Sequence, residues 1–170
     1  IAAPFISTGL MFHQIYIFNQ KGWSIEMLGN GYILVGFFSI VGLLVGGPII
    51  DKFDTRKTVL TSLLPLFVCL FILLYFNNYI FFIIYMIFYG LNYGITIPFI
   101  GALWAEIYGV ESLGTVKALL HAGGVLASAL SPLIFGYLID WGYGIFAIVS
   151  ISLVYIILAT ALPLLKKFNE

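Results

Sequence analysis

Long apolar runs, separated by short polar breaks, divide the sequence into six segments. Each run is close to the roughly 20 residues that a helix needs to cross a bilayer. The predicted spans are about 1–18, 25–50, 58–76, 79–104, 115–139 and 145–165. Ser24 and Glu26 are typical of a helix start, so they mark the beginning of the second span. Barrel strands would instead show about ten residues of alternating polarity. The pattern therefore predicts an all-α membrane protein with six transmembrane helices.

Composition supports the same class. The chain is 62% hydrophobic and only 8% charged, whereas a soluble domain is about 25% charged. Fourteen charged residues cannot cover a globule of 170 residues, so lipid is the expected solvent for most of the surface. The net charge is zero and no basic stripe occurs, which argues against a nucleic-acid partner. The single cysteine, Cys69, excludes an internal disulfide.

Basic residues are distributed unevenly between the two ends of the predicted helices. With six spans, one side holds Lys52, Arg56, Lys57, Lys117, Lys166 and Lys167. The other side holds Lys21 alone. Cytoplasmic loops carry an excess of Lys and Arg, so the first side, with the C-terminus, is predicted to be cytoplasmic.

A short internal echo suggests a repeat. The second span ends in "GPIID" (47–51) and the fifth in "GYLID" (136–140). If three helices repeat once, the odd number inverts the second unit, as in the inverted three-plus-three repeats of transporters. A chance match of five residues is the alternative.

Five charged residues lie close together in the stretch "GGPIIDKFDTRK", between the second and third spans. The pattern resembles the loop signature of the major facilitator superfamily, G-x-x-x-D-[RK]-x-G-[RK]-[RK]. Four positions match, namely Gly47, Asp51, Lys52 and Arg56, and Lys57 adds a further base. Asp54 stands where the family usually has glycine, and Thr55 where it often has a base, which makes a gating role for the loop less certain.

The resemblance covers residues 1–170 and implies the C-terminal six-helix half, helices seven to twelve, of a twelve-helix transporter. The sequence starts at Ile1 inside an apolar segment, so we expect a piece of a longer protein whose N-terminal half is missing. The stretch 102–140 is also similar to bacterial carriers of monocarboxylates and of oxalate and formate.

From this resemblance we expect a secondary transporter, a symporter or antiporter, that moves a small organic solute by alternating access. The expected setting is the inner membrane of a bacterial or archaeal cell, with no cofactor and no metal. The partners are the lipid bilayer, the missing half, the solute and a coupling proton. A six-helix homo-oligomeric channel or scaffold is the alternative. Without a metal-ligand cluster or a nucleophile-elbow spacing, an enzyme is not expected.

Asp51 is the key residue of the loop. A helix C-terminus disfavours negative charge, so its carboxylate needs compensation from Lys52, Arg56 or the N-terminus of another helix. One interpretation is a cytoplasmic gate that opens as the two halves rock against each other. The other is that the loop only anchors the topology among lipid headgroups.

Polar residues within spans are costly and mark sites or packing contacts. The candidates for a substrate cavity are His13, Gln14, Tyr89, Asn92, Tyr93, Thr96 and His121. Those on the fourth span form one stripe by their helical spacing, whereas Lys117 lies too near a span end for a midplane role. Each has a structural alternative: an interfacial tyrosine belt, a neutral histidine bonded to a neighbouring helix (His13), or close packing among small residues (His121). No acidic residue lies in mid-span, which is compatible with an anionic solute. A coupling proton would then use either histidine, the missing half or the solute itself.

Overall fold

The computed structural model describes residues 1–52, 62–109 and 111–165. Its helices, in chain order, are α1 (Ala2–Phe12), α2 (Gln14–Lys21), α3 (Ile25–Lys52), α4 (Leu64–Tyr75), α5 (Tyr79–Tyr108), α6 (Leu113–Asp140) and α7 (Gly144–Leu165). No strand occurs in these three ranges. Within them, four helices are long and apolar enough to cross a membrane: α3, α5, α6 and α7. The all-helical membrane class is therefore confirmed.

The described helices differ from the predicted spans at two places. The third span begins among residues 53–61, outside the described residues, and only α4 represents it. The first span, predicted as one helix over 1–18, is divided at His13, where φ is −99° and ψ is 12°. Neither glycine nor proline causes this break. The His13 side chain instead bonds to α6, and its backbone still bonds to Gly9 and Ile17 at 3.2 and 2.9 Å.

The start of α3 has the predicted cap. The helix begins at Ile25 with Glu26 in its first turn, and the Met27 N–H lies 3.4 Å from Ser24 Oγ. Gly22, at φ +70°, ends α2 in the left-handed conformation and turns the chain toward this cap. Local sequence chemistry alone accounts for this junction.

Helix pairing organises the bundle. The most extensive contacts join α3 to α5 and α1 to α6, while α4 packs between α5 and α7. Side chains from several helices share one apolar core. Its largest fully buried members are Phe18, Phe135, Ile6, Leu10, Ile17, Leu66, Leu70, Leu73, Met86, Ile148, Val149 and Cys69.

Backbone contact between α3 and α5 depends on glycine. Gly42 and Gly46 on α3 and Gly90 and Gly94 on α5 repeat the small-xxx-small spacing of close helix pairs in membranes. A methyl group at Gly94 would overlap the Ser39 carbonyl oxygen. At Gly90 it would lie 2.6 Å from a carbonyl oxygen of α3. These helices approach as closely as their backbones allow.

One end of the bundle is tied together by Asn77, in the connection between α4 and α5. Lys21 is 8% exposed, and its Nζ donates to Asn77 Oδ1 at 2.8 Å. Trp23 Nε1 donates to the Asn77 carbonyl oxygen at 2.6 Å. Burial lowers the pKa of Lys21 because it takes the ammonium group out of water. These two bonds fix the connection between α2 and α3 to the connection between α4 and α5.

The glycine contact leads to a stability prediction. Gly94→Ala should destabilise the protein by about 2 kcal/mol or more, because the added methyl meets backbone atoms that cannot rotate away. The measurement is thermal unfolding of the purified protein in detergent. Gly36→Ala is the matched control, since a methyl there meets nothing within 4 Å. Equal melting temperatures for the two variants would contradict the close approach.

Candidate functional site

A buried polar cluster joins α1 to α5. The Tyr89 hydroxyl donates to the Ser7 carbonyl oxygen at 2.9 Å, and Asn92 Nδ2 donates to Ser7 Oγ at 3.2 Å. All three residues are buried. The stripe of polar residues predicted on the fourth span thus faces the first span, where it meets Ser7.

Tyr93 lies at the open edge of this cluster. Its hydroxyl is 3.3 Å from that of Tyr89, and the two rings meet edge to face at 5.2 Å. Tyr93 is 39% exposed, whereas Tyr89 is 2% exposed. The two tyrosines therefore differ: Tyr89 is sealed within the bundle and Tyr93 is accessible.

Asn92 retains an unused acceptor. Its Oδ1 is buried without a hydrogen-bond partner in the described part of the chain. The Asn92 backbone carbonyl, by contrast, accepts from Thr96 Oγ1 at 2.6 Å. A buried polar atom without a partner carries a desolvation cost of about 1–3 kcal/mol. Such an atom in a native fold calls for an explanation.

His13 and Gln14 bind neighbouring helices. His13 Nε2 lies 2.9 Å from the Pro132 carbonyl oxygen of α6, so this nitrogen carries the hydrogen and donates it. Gln14 Oε1 accepts from the Tyr32 hydroxyl at 2.9 Å, which links α2 to α3. For His13 the geometry matches the structural alternative, a histidine bonded to a neighbouring helix.

A cavity of about 740 Å³ opens at the end of the bundle where α5 ends and α6 begins. The start of α1 forms its third wall. The described lining residues are Ile1, Pro4, Thr96, Ile97, Ile100, Gly101, Trp104, Lys117, Ala118, Leu120, His121, Gly124, Val125 and Ser128. Its volume is in the range of small-molecule sites.

Two of the seven cavity candidates, Thr96 and His121, line this cavity. The other five are His13, Gln14, Tyr89, Asn92 and Tyr93, and they are not among its described lining residues. The structure therefore separates the predicted set into three parts. His13, Gln14, Tyr89 and Asn92 bond to neighbouring helices, Tyr93 lies at the exposed edge of the buried cluster, and Thr96 and His121 line the cavity.

Sequence reasoning missed three polar lining residues: Trp104, Lys117 and Ser128. Lys117 lies near a span end, which argues against a role at the midplane of the membrane but not against a place in this cavity. A signal for the α6 wall was nevertheless present, since residues 117, 121, 124 and 128 follow the helical spacing of one face. No such signal marks Trp104, because a single tryptophan in an apolar span is typical of a core residue or of a residue at the membrane interface.

The described part of the loop signature ends α3. Gly47, Asp51 and Lys52 lie in its last two turns, with Asp51 and Lys52 exposed. Arg56 and Lys57 lie outside the described residues. No group of three or more metal-binding side chains occurs within the described ranges.

Long apolar helices that enclose polar side chains and a solute-sized cavity define an integral membrane protein of the transporter class. The chain belongs to the Major Facilitator Superfamily, whose family model matches residues 2–169. Members of this family are transporters and not enzymes. A search of curated proteins finds no match.

The tyrosine pair leads to a prediction about helix joining. Tyr89→Phe should lower stability by about 1 kcal/mol, because it removes the buried bond to Ser7. Tyr93→Phe should have a smaller effect, since its hydroxyl is at the exposed edge. The measurement is the thermal unfolding of both variants in the same detergent. A larger loss of stability for Tyr93→Phe would show that the bond between Tyr89 and Ser7 is not the main contribution of this pair to stability.

Proposed function

We propose that this chain is the C-terminal six-helix half of a twelve-helix secondary transporter that moves a small organic solute by alternating access. The observation that carries the proposal is the 740 Å³ cavity between α1, α5 and α6 in a chain of this family. Helices of the N-terminal half would close its open side. Rocking of the halves would then expose the solute to each side in turn.

The packing order supports an inverted three-plus-three repeat. In such a repeat, the second and fourth spans (α3 and α5) correspond to the fifth and first spans (α6 and α1). The contact of α3 with α5 therefore corresponds to the contact of α1 with α6, and both contacts are extensive. The echo from Gly47 to Gly136 gives an offset of 89 positions. With this offset, Gly46 of the first unit corresponds to Phe135 of the second, and Pro98 of the second unit corresponds to Gly9 of the first. The pair Gly46 and Pro98 is therefore equivalent to the pair Phe135 and Gly9.

Both of these pairs are close contacts. A methyl group at Gly46 would lie 2.7 Å from Pro98 Cγ, and one at Gly9 would lie 2.5 Å from Phe135 Cε2. An echo of five residues thus coincides with equivalent helix contacts elsewhere in the chain. This agreement favours a repeat over a chance match of five residues.

The solute is proposed to be an organic anion, with a coupled proton in symport or antiport. The absence of an acidic residue from the described cavity lining supports an anion. The proposed setting is a bacterial or archaeal inner membrane with the C-terminus cytoplasmic, which rests on the predicted excess of Lys and Arg on that side. The cavity end, with Lys117, would then face the cytoplasm.

Uptake by the whole transporter in proteoliposomes tests this function. Labelled carboxylates, sugars and amino acids are screened first, and the accepted solute is used to compare variants. Gly101→Leu should reduce uptake severalfold, because Gly101 lines the cavity and the new side chain would extend into open space.

Gly36→Leu is the matched control for this experiment. It also adds a side chain where a methyl meets nothing within 4 Å, but Gly36 does not line the cavity. Uptake should therefore persist in this variant. Full uptake by a correctly inserted Gly101→Leu protein would contradict a transport role for the cavity.

A separate prediction concerns the proposed gate at the end of α3. Asp51→Asn should slow transport without impairing insertion or expression, because it removes the charge that would hold the cytoplasmic side closed. Asp51 is exposed, so the change creates no packing defect. Initial uptake rates, normalised to inserted protein, provide the measurement. Normal rates would leave topology anchoring as the role of the loop.

A further inference from the structure

The wall of the cavity formed by α6 carries two nitrogen-bearing side chains. Lys117 and His121 are four residues apart, so they occupy neighbouring turns of one helix face, about 6 Å apart along the axis. Both are exposed to the cavity, and neither has a hydrogen-bond or ion-pair partner in the described ranges. This wall therefore presents hydrogen-bond donors and at least one positive charge.

The opposite wall includes Trp104 of α5. Its Nε1 is buried without a partner among the described residues, so a ligand in the open cavity does not reach it. The indole therefore contributes apolar ring surface to the cavity and no donor.

The two hydroxyl groups of the cavity are already used as donors. Thr96 Oγ1 donates to the Asn92 carbonyl oxygen at 2.6 Å, and Ser128 Oγ to the Pro4 carbonyl oxygen at 3.4 Å. No acidic side chain is among the described lining residues. The accessible polar side chains that remain are thus Lys117 and His121, which both suit an anionic acceptor.

The rest of the lining is apolar. It includes Pro4, Ile97, Ile100 and Val125, which offer no hydrogen-bonding side chain. A small hydrated inorganic ion would leave these surfaces uncovered. A ligand with a carboxylate at one end and a hydrocarbon body would instead match both parts of the cavity.

We propose that this cavity binds a carboxylate with an apolar body, whose carboxylate oxygens accept from Lys117 and His121. The proposal rests on the transport function proposed above and specifies the solute class. Lys117 is only four residues from the start of α6, so the carboxylate lies near one end of the bundle. This is a capture site near the entrance, distinct from the buried cluster around Tyr89 and Asn92.

Equilibrium binding of labelled benzoate to the whole transporter in lipid nanodiscs tests the proposal, with empty nanodiscs as the partition control. Benzamide has the same shape without the charge. We expect saturable benzoate binding that excess unlabelled benzoate displaces and benzamide does not. Equal displacement by both compounds, or the absence of saturable binding, would overturn the proposal. This comparison uses unmodified protein, so it does not depend on the folding of a variant.

Side-chain variants assign the carboxylate to its residues. Lys117→Gln should weaken benzoate binding about tenfold, in line with the loss of a charged hydrogen bond, whereas Lys117→Arg should retain most of it. Glu111→Gln is the control, since it changes a nearby charge outside the described lining. Unchanged affinity in Lys117→Gln would overturn the assignment.

Uptake assays on the same preparation separate this proposal from the proposed function. Transport of another solute without benzoate binding would refute the carboxylate site and leave the transporter intact. Saturable, Lys117-dependent binding without uptake of any solute would support the site and refute transport by this protein.

Discussion

The backbone contact between α3 and α5 is the constraint on which the rest of the bundle depends. In lipid, helices gain little from burying apolar side chains, so association relies on close packing and internal hydrogen bonds. Gly42 and Gly94 bring the two backbones together and fix the rotation of α5. With that face occupied, Tyr89 and Asn92 point toward α1, and Thr96 and Trp104 line the cavity.

The second helix pair, α1 with α6, combines a close approach at a glycine with a side-chain hydrogen bond. A methyl at Gly9 would overlap Ser131 Oγ, so the two helices are also close there. One turn further along α1, His13 donates to the Pro132 carbonyl oxygen. Proline has no N–H, so Pro132 does not donate a helical hydrogen bond within α6. The His13 bond therefore reaches α6 at a residue where the internal hydrogen bonds of the helix are interrupted.

Hydropathy predicted most of this architecture because a membrane-spanning helix needs a long apolar run. It did not predict which face of each helix packs inward, since lipid-facing and core-facing residues are both apolar. The break at His13 was missed because a tertiary bond accompanies it, with no local glycine or proline. The stripe containing Tyr89 and Asn92 was visible from spacing, but its burial against Ser7 required the pairing of α1 with α5. The cavity position of Lys117 could not be predicted from its place near a span end, because that place does not show which residues border a cavity.

The position of Lys117 points to a general distinction within this bundle. Deep in the spans, Tyr89, the Asn92 amide nitrogen and His13 use their hydrogen bonds to join neighbouring helices. Residues near the start of α6 can keep unpaired nitrogens, because the open cavity allows hydration until a ligand replaces the water. Availability for a solute thus depends on which polar groups the helix contacts leave unused. By that criterion Lys117 and His121 are stronger candidates for binding than the buried tyrosine cluster.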